Sequence, residues 1–185
     1  MRPITAEGHA LLTIIINLVL HNLIWFACVV GAARGHIWIG AILSASITTG
    51  QIIWFRQQHN LQPVLIWTAV LTCCGFIVDS SLAMASLIHF AANPYPIKLA
   101  PPWIIAIWLN FSVVMYMHFR AHFDKLWLLS ILALICFPLA YAAGVKLGAA
   151  ALPDGYRSLL WLGLIWAIIL PAIVYILRST REKGA

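Results

Sequence analysis

The sequence carries very little charge. Charged residues fill 9% of its 185 positions, and only five of them are acidic. A soluble domain carries about a quarter. Apolar residues make up 63%, more than a soluble fold of this length can hide from water. An ordinary soluble domain is therefore excluded. Nucleic-acid binding is not expected either. The net charge is +6, but the eleven Lys and Arg residues are scattered between apolar segments rather than gathered into a phosphate-tracking patch.

Other signals are missing too. There is no P-loop, no GxGxxG opening a dinucleotide-binding unit and no GxSxG elbow, so nucleotide-driven and serine-hydrolase chemistry have no support. No CxxCH attaches a haem. The four cysteines, Cys28, Cys73, Cys74 and Cys136, form no CxxC pair and all stand in apolar runs. They read as small buried thiols. No cofactor is predicted.

What the chain has is six apolar runs, each about long enough to cross a bilayer. The predicted spans are residues 10–32, 37–54, 64–91, 103–119, 126–150 and 159–177. Polar or Pro-rich breaks separate them: "ARGH", "FRQQHNLQP", "NPYPIKLAPP", "RAHFDK" and "PDGYR". The first run is longer than a signal-peptide core and its positive region is thin, so it reads as a retained span. The fold class is all-α, an integral membrane bundle of six transmembrane helices in one domain.

Lys and Arg set the orientation. One side would hold Arg2, Arg56, Arg120, Lys125, Arg178, Arg181 and Lys183, the other Arg34, Lys98 and Arg157. The richer side should face the cytoplasm, which places both termini inside. Trp38, Trp54, Trp103, Trp127 and Trp161 fall near span ends, where amphipathic rings settle. Pro138 and Pro171 fall inside spans and read as helix kinks.

One of the few acids stands in the wrong place for a surface residue. Asp79, in "GFIVDSSLAMAS", sits inside the third run. An Asp deep in a membrane helix costs about 2.5–3.5 kcal/mol to insert, so it should face protein. Thr72, Gly75, Asp79, Ala83 and Ser86 recur at steps of three and four and make one small, polar stripe. Asn17, His21 and Cys28 make a similar stripe on the first run, and Asn110 lies at a comparable depth in the fourth. Lys146 in the fifth can snorkel outward. Candidate partners for Asp79 are His21, Asn110, Tyr141 and Lys146. The same five residues form the candidate ligand-binding set, because ionisable groups within a membrane mark functional sites by default. The competing account is a hydrogen-bonded clamp between helices.

Two small-xxx-small patterns, Gly31/Gly35 and Ala140/Gly144/Gly148, read as close-packing faces that could bring spans one and five together or join two copies. His118 and His122 are one turn apart and could supply two metal ligands, but no second local pair completes a set, so no metal site is predicted.

Three segments resemble a known family. "LIWFACVVGAA" (Leu23–Ala33), "IAIWLNFSVVMYMHF" (Ile105–Phe119) and "PLAYAAGVKLGA" (Pro138–Ala149) are similar to a domain-of-unknown-function family of small multi-pass bacterial inner-membrane proteins. Its pattern joins WFACV-x-GAA, a Trp-rich segment ending in Asn-His, and GPLAY-x-AG-x-[RK]-LGA. His118 matches the family histidine, while Met117 stands in place of Asn and Phe137 in place of Gly. The resemblance implies a bacterial inner-membrane location with no established activity. It also implies a genomic setting near fatty-acid-modifying enzymes such as cyclopropane fatty-acid synthases, hence a lipid-linked role. The leading expectation is a protein that binds, or helps modify, a membrane lipid or lipid-like molecule in a polar intramembrane cavity. A small transporter using the same cavity, or an accessory subunit of a membrane complex, are the alternatives.

Overall fold

The computed structural model describes residues 6–57, 60–120 and 124–182. Six helices follow one another: α1 (Ala6–Ala33), α2 (Ile37–Arg56), α3 (Leu61–Met84), α4 (Pro102–Phe119), α5 (Leu126–Lys146) and α6 (Tyr156–Glu182). All six are long and apolar enough to span a membrane. Large apolar side chains such as Leu11, Ile42, Ile66, Ile131 and Ile168 stand exposed around the bundle. In water this surface would aggregate; lipid tails suit it.

The helix starts follow local chemistry. Asn60 caps α3, its Oδ1 accepting the Gln62 N–H at 3.1 Å. Pro102 opens α4 at a position where no helical N–H is needed. The helix ends on one side share one device. After α1, His36 N–H bonds the Gly31 carbonyl and Gly35 N–H the Ala32 carbonyl; after α5, Ala149 bonds Gly144 and Gly148 bonds Val145. Gly35 and Gly148 carry the left-handed turn, at φ 79° and 84°. The two glycine patterns are therefore helix stops: the first glycine of each pair offers the accepting carbonyl and the second makes the turn. The ends of α1 and α5 also meet there, since a Cβ at Gly148 would lie 3.7 Å from Ala33 Cβ. An added Cβ at Gly144 would meet nothing within 4 Å.

Two expected spans are shorter than their apolar runs. The third stops at Met84 rather than residue 91, because Ser86 takes the same left-handed turn (φ 59°), with Leu87 N–H on Leu82 and Ser86 N–H on Ala83. The fifth stops at Lys146 rather than 150. The apolar residues beyond each stop pair with one another instead: β1 (His89–Phe90) and β2 (Ala150–Ala151) form a short antiparallel ladder, His89 opposite Ala151. The ladder lies inside a cap at one end of the bundle, where Ile88 and Ala149 are fully buried. Hydropathy alone could not separate a buried cap from more helix. Trp103 belongs to that cap rather than to an exposed aromatic belt. It is 3% exposed, and its indole N–H donates to the Ala91 carbonyl at 3.1 Å.

Helix α4 is the axis. Of its span 56% is buried, against 17% for α5. It packs on α1, α2 and α3, while α5 packs chiefly on α6. Small residues make the close crossings. A Cβ at Gly40 would fall 2.4 Å from Cys28 Cα, joining α2 to α1; one at Gly75 would fall 2.3 Å from the Trp108 ring, joining α3 to α4. At Gly163 it would meet Pro138 Cγ at 2.9 Å, joining α6 to α5. Of the four thiols only Cys28 is buried; Cys73 and Cys136 are exposed and Cys74 is half-buried. A lipid-facing position is as apolar as a core one, so an apolar run does not tell the two apart.

Candidate functional site

Because α5 packs chiefly on α6 and meets α4 and α3 through Phe137 and Tyr141, a cleft remains between the α1–α4 group and the α5–α6 hairpin. It encloses about 400 Å³ and is open along one side. Its α4 wall runs from Trp103 to Phe119, about 24 Å at 1.5 Å per residue. The α1 wall carries Leu18, His21, Trp25 and Val29; the α5 wall runs from Leu129 to Gly144; Phe90 and Ala150 of the ladder border the capped end. The lining is almost wholly apolar. His21, Asp79 and Tyr141 supply its polar side chains, with the Cys136 thiol beside them.

Asp79 reaches the cleft from α3 and is 0% exposed. The Trp108 indole N–H donates to its Oδ2 at 2.7 Å, and the Tyr141 hydroxyl donates to its Oδ1. Three helices, α3, α4 and α5, thus meet at one carboxyl group, and each of its oxygens has a donor. That pairing is what lets a carboxyl lie fully buried. Trp108 is itself wedged by aromatic rings: Trp166 at 4.5 Å between centroids, Phe137 at 5.5 Å and Phe111 at 5.5 Å. Trp166 lies against Tyr141 without a well-formed hydrogen bond from its own Nε1.

A second polar cluster ties α1, α2 and α4. Asn110, also 0% exposed, donates from Nδ2 to Thr48 Oγ1 at 2.9 Å and to Gln51 Oε1 at 2.8 Å. Gln51 Nε2 donates to Asn17 Oδ1 at 2.6 Å, and His21 Nδ1 meets Asn110 Oδ1 at 2.9 Å. The buried Ser44 hydroxyl adds a bond to the Ala106 carbonyl at 2.7 Å.

Of the five candidate residues, three line the cleft: His21, Asp79 and Tyr141. Among the four candidate partners for Asp79, the geometry selects Tyr141. Asn110 sits behind the wall, sealed by its own bonds. Lys146 is exposed at the end of α5 and is not part of the lining. The α3 stripe does face inward as far as Ala83, but Ser86 lies past the helix end and accepts from Lys98 Nζ at 2.7 Å. Trp108 was missed because tryptophan counts as apolar in any hydropathy pattern and shows its donor only when buried. Thr48 and Gln51 did leave a signal, as hydroxyl and amide side chains inside a span. His122 lies outside the described residues, and among those described no group of three or more His, Cys, Asp or Glu could hold a metal ion.

A family model described as "Protein of unknown function (DUF2878)" matches residues 14–172. The chain belongs to the DUF2878 family. No curated protein and no solved structure matches it. Together with the six apolar helices, membership marks a multi-pass membrane protein of an uncharacterised family. The match covers both polar clusters and the whole cleft.

Proposed function

We propose that this DUF2878 protein works in the bacterial inner membrane, with both termini cytoplasmic, and binds or assists modification of a lipid or another membrane-partitioning small molecule. The observation that carries this reading is the cleft: about 400 Å³ of apolar space, open on one side, with His21, Asp79 and Tyr141 on its wall. Small-molecule sites have this character, an apolar enclosure of 300–1,000 Å³ with a few fixed polar groups. A purely structural clamp would need the same hydrogen bonds but no open space beside them. Here the bonds immobilise Asp79 and Tyr141 at the edge of that space, which is how a site is held ready for a ligand.

The test is comparative lipidomics of a deletion strain complemented with wild type or Asp79→Asn. The Asn carbonyl can still accept from Trp108 and its amide can donate to the Tyr141 oxygen, so this variant should fold while losing the ionisable group. Altered lipid composition on deletion, restored by wild type and not by Asp79→Asn, is the expected result. If deletion leaves lipids unchanged, and the purified protein holds no lipid in the cleft, the reading fails. Orientation has its own measurement. A cysteine placed at Arg34 should react with an impermeant reagent only from the periplasmic side.

A further inference from the structure

The amide relay behind the cleft has a direction, and the direction ends at His21. It begins at a backbone carbonyl, which can only accept: Asn17 Nδ2 donates to the Thr13 carbonyl at 2.9 Å. Asn17 therefore presents its oxygen to Gln51, and the Gln51 amide nitrogen donates to it. Gln51 in turn presents its own oxygen to Asn110, whose nitrogen donates both there and to Thr48. The Asn110 oxygen is left facing His21 Nδ1, so Nδ1 must carry the proton. In the neutral ring the lone pair is then on Nε2. No described residue bonds Nε2, and His21 lines the cleft.

The depth of that lone pair is fixed as well. His21 lies at the middle of the α1 span Leu11–Ala33 and bonds Asn110 at the middle of the α4 span Pro102–Phe119. A hydrocarbon core is about 30 Å thick, so His21 stands roughly 15 Å from either interface. A phosphate head group anchored at an interface does not reach it, and drawing a charge to mid-depth is costly. The lining also contains no Lys or Arg to receive an anion. The space suits one chain. At roughly 30 Å³ per methylene-sized unit, taken as equal to a water molecule, 400 Å³ takes on the order of a dozen chain atoms.

We propose that the cleft's ligand is an uncharged, single-chain lipid that donates a hydroxyl hydrogen to His21 Nε2 at mid-membrane depth. This rests on the lipid-binding reading and names the ligand class. Long-chain alcohols and lipid quinols share the required chemistry.

The experiment uses the full chain in nanodiscs and three diazirine probes: a long-chain alcohol, its methyl ether and a phosphatidic acid of matched length. Crosslinks are mapped by peptide mass spectrometry, and an unlabelled polyprenol and an unlabelled quinol serve as separate competitors. The alcohol should label the α4 and α5 cleft walls about five- to ten-fold more efficiently than the ether, the worth of one hydrogen bond. The stronger of the two competitors identifies the source. His21→Phe should abolish the preference while leaving ether labelling intact, and His21→Gln, which offers an amide oxygen, should restore part of it. Equal labelling by alcohol and ether in the wild-type protein, which needs no variant to fold, overturns the proposal while leaving lipid binding standing. So does preferential labelling by phosphatidic acid. If no probe reaches the cleft walls, both this proposal and the lipid-binding reading fall.

Discussion

Replacing Gly75 with alanine tests the crossing that holds Asp79 in place. The new methyl carbon would lie 2.3, 2.5 and 2.6 Å from three atoms of the Trp108 ring. Trp166, Phe137 and Phe111 crowd the ring and Asp79 holds its Nε1, so its room lies toward the cleft it borders, away from that bond. Either α3 and α4 move apart or Trp108 leaves its bond. Overpacking costs about 1–3 kcal/mol, and a lost interhelical hydrogen bond in a membrane adds about 0.6 kcal/mol, at most about 1.7. Helix propensity works the other way, favouring alanine by about 1 kcal/mol. The net expectation is a destabilisation of about 1–4 kcal/mol. The assay is thermal unfolding in detergent, run beside Gly50→Ala and Gly144→Ala, where an added Cβ meets nothing within 4 Å. Those controls should match or exceed the wild type. If Gly75→Ala unfolds with the controls, Trp108 is not held against this glycine, and the account of how Asp79 is positioned is wrong.

Asp79→Leu removes the shared acceptor and strands the Trp108 N–H and the Tyr141 hydroxyl. Each buried orphan should cost about 1–3 kcal/mol, whereas Asp79→Asn should unfold close to the wild type; equal stabilities for Leu and Asn would contradict the pairing. Ser86 occupies a left-handed turn better suited to glycine, so Ser86→Gly should raise stability by up to about 1 kcal/mol, less the small contribution of the exposed Lys98 bond. Gly148→Ala forces a side chain into the same conformation and should lower stability by about 1–2 kcal/mol. Gln51→Leu interrupts the amide relay, stranding the Asn17 oxygen and one Asn110 donor, and should destabilise by about 1–3 kcal/mol per stranded group; an unchanged midpoint in the same unfolding assay would argue that the relay is not formed.

Composition alone dictates the membrane, and run length dictates six helices, because a backbone surrounded by lipid must satisfy its own hydrogen bonds and the helix does so within a single segment. The inward position of Asp79 was equally legible, since the insertion penalty forbids a lipid-facing carboxyl. Tertiary structure decided the rest. Which donors meet Asp79 depended on helix packing, and the choice fell on Tyr141 and on Trp108, which hydropathy counts as apolar. Gly31/Gly35 and Gly144/Gly148 have the spacing of a packing motif, yet the same spacing also joins the last accepting carbonyl of a helix to the left-handed residue that ends it. The runs after Met84 and Lys146 read as more helix because a buried cap and a membrane span are equally apolar. Of the cleft, the sequence showed part of the polar lining, since His21, Asp79 and Tyr141 stood in the expected set; its walls exist because α5 packs chiefly on α6 and meets α4 and α3 through Phe137 and Tyr141 instead of closing onto them along its length, and the spacing of distant helices has no local residue pattern.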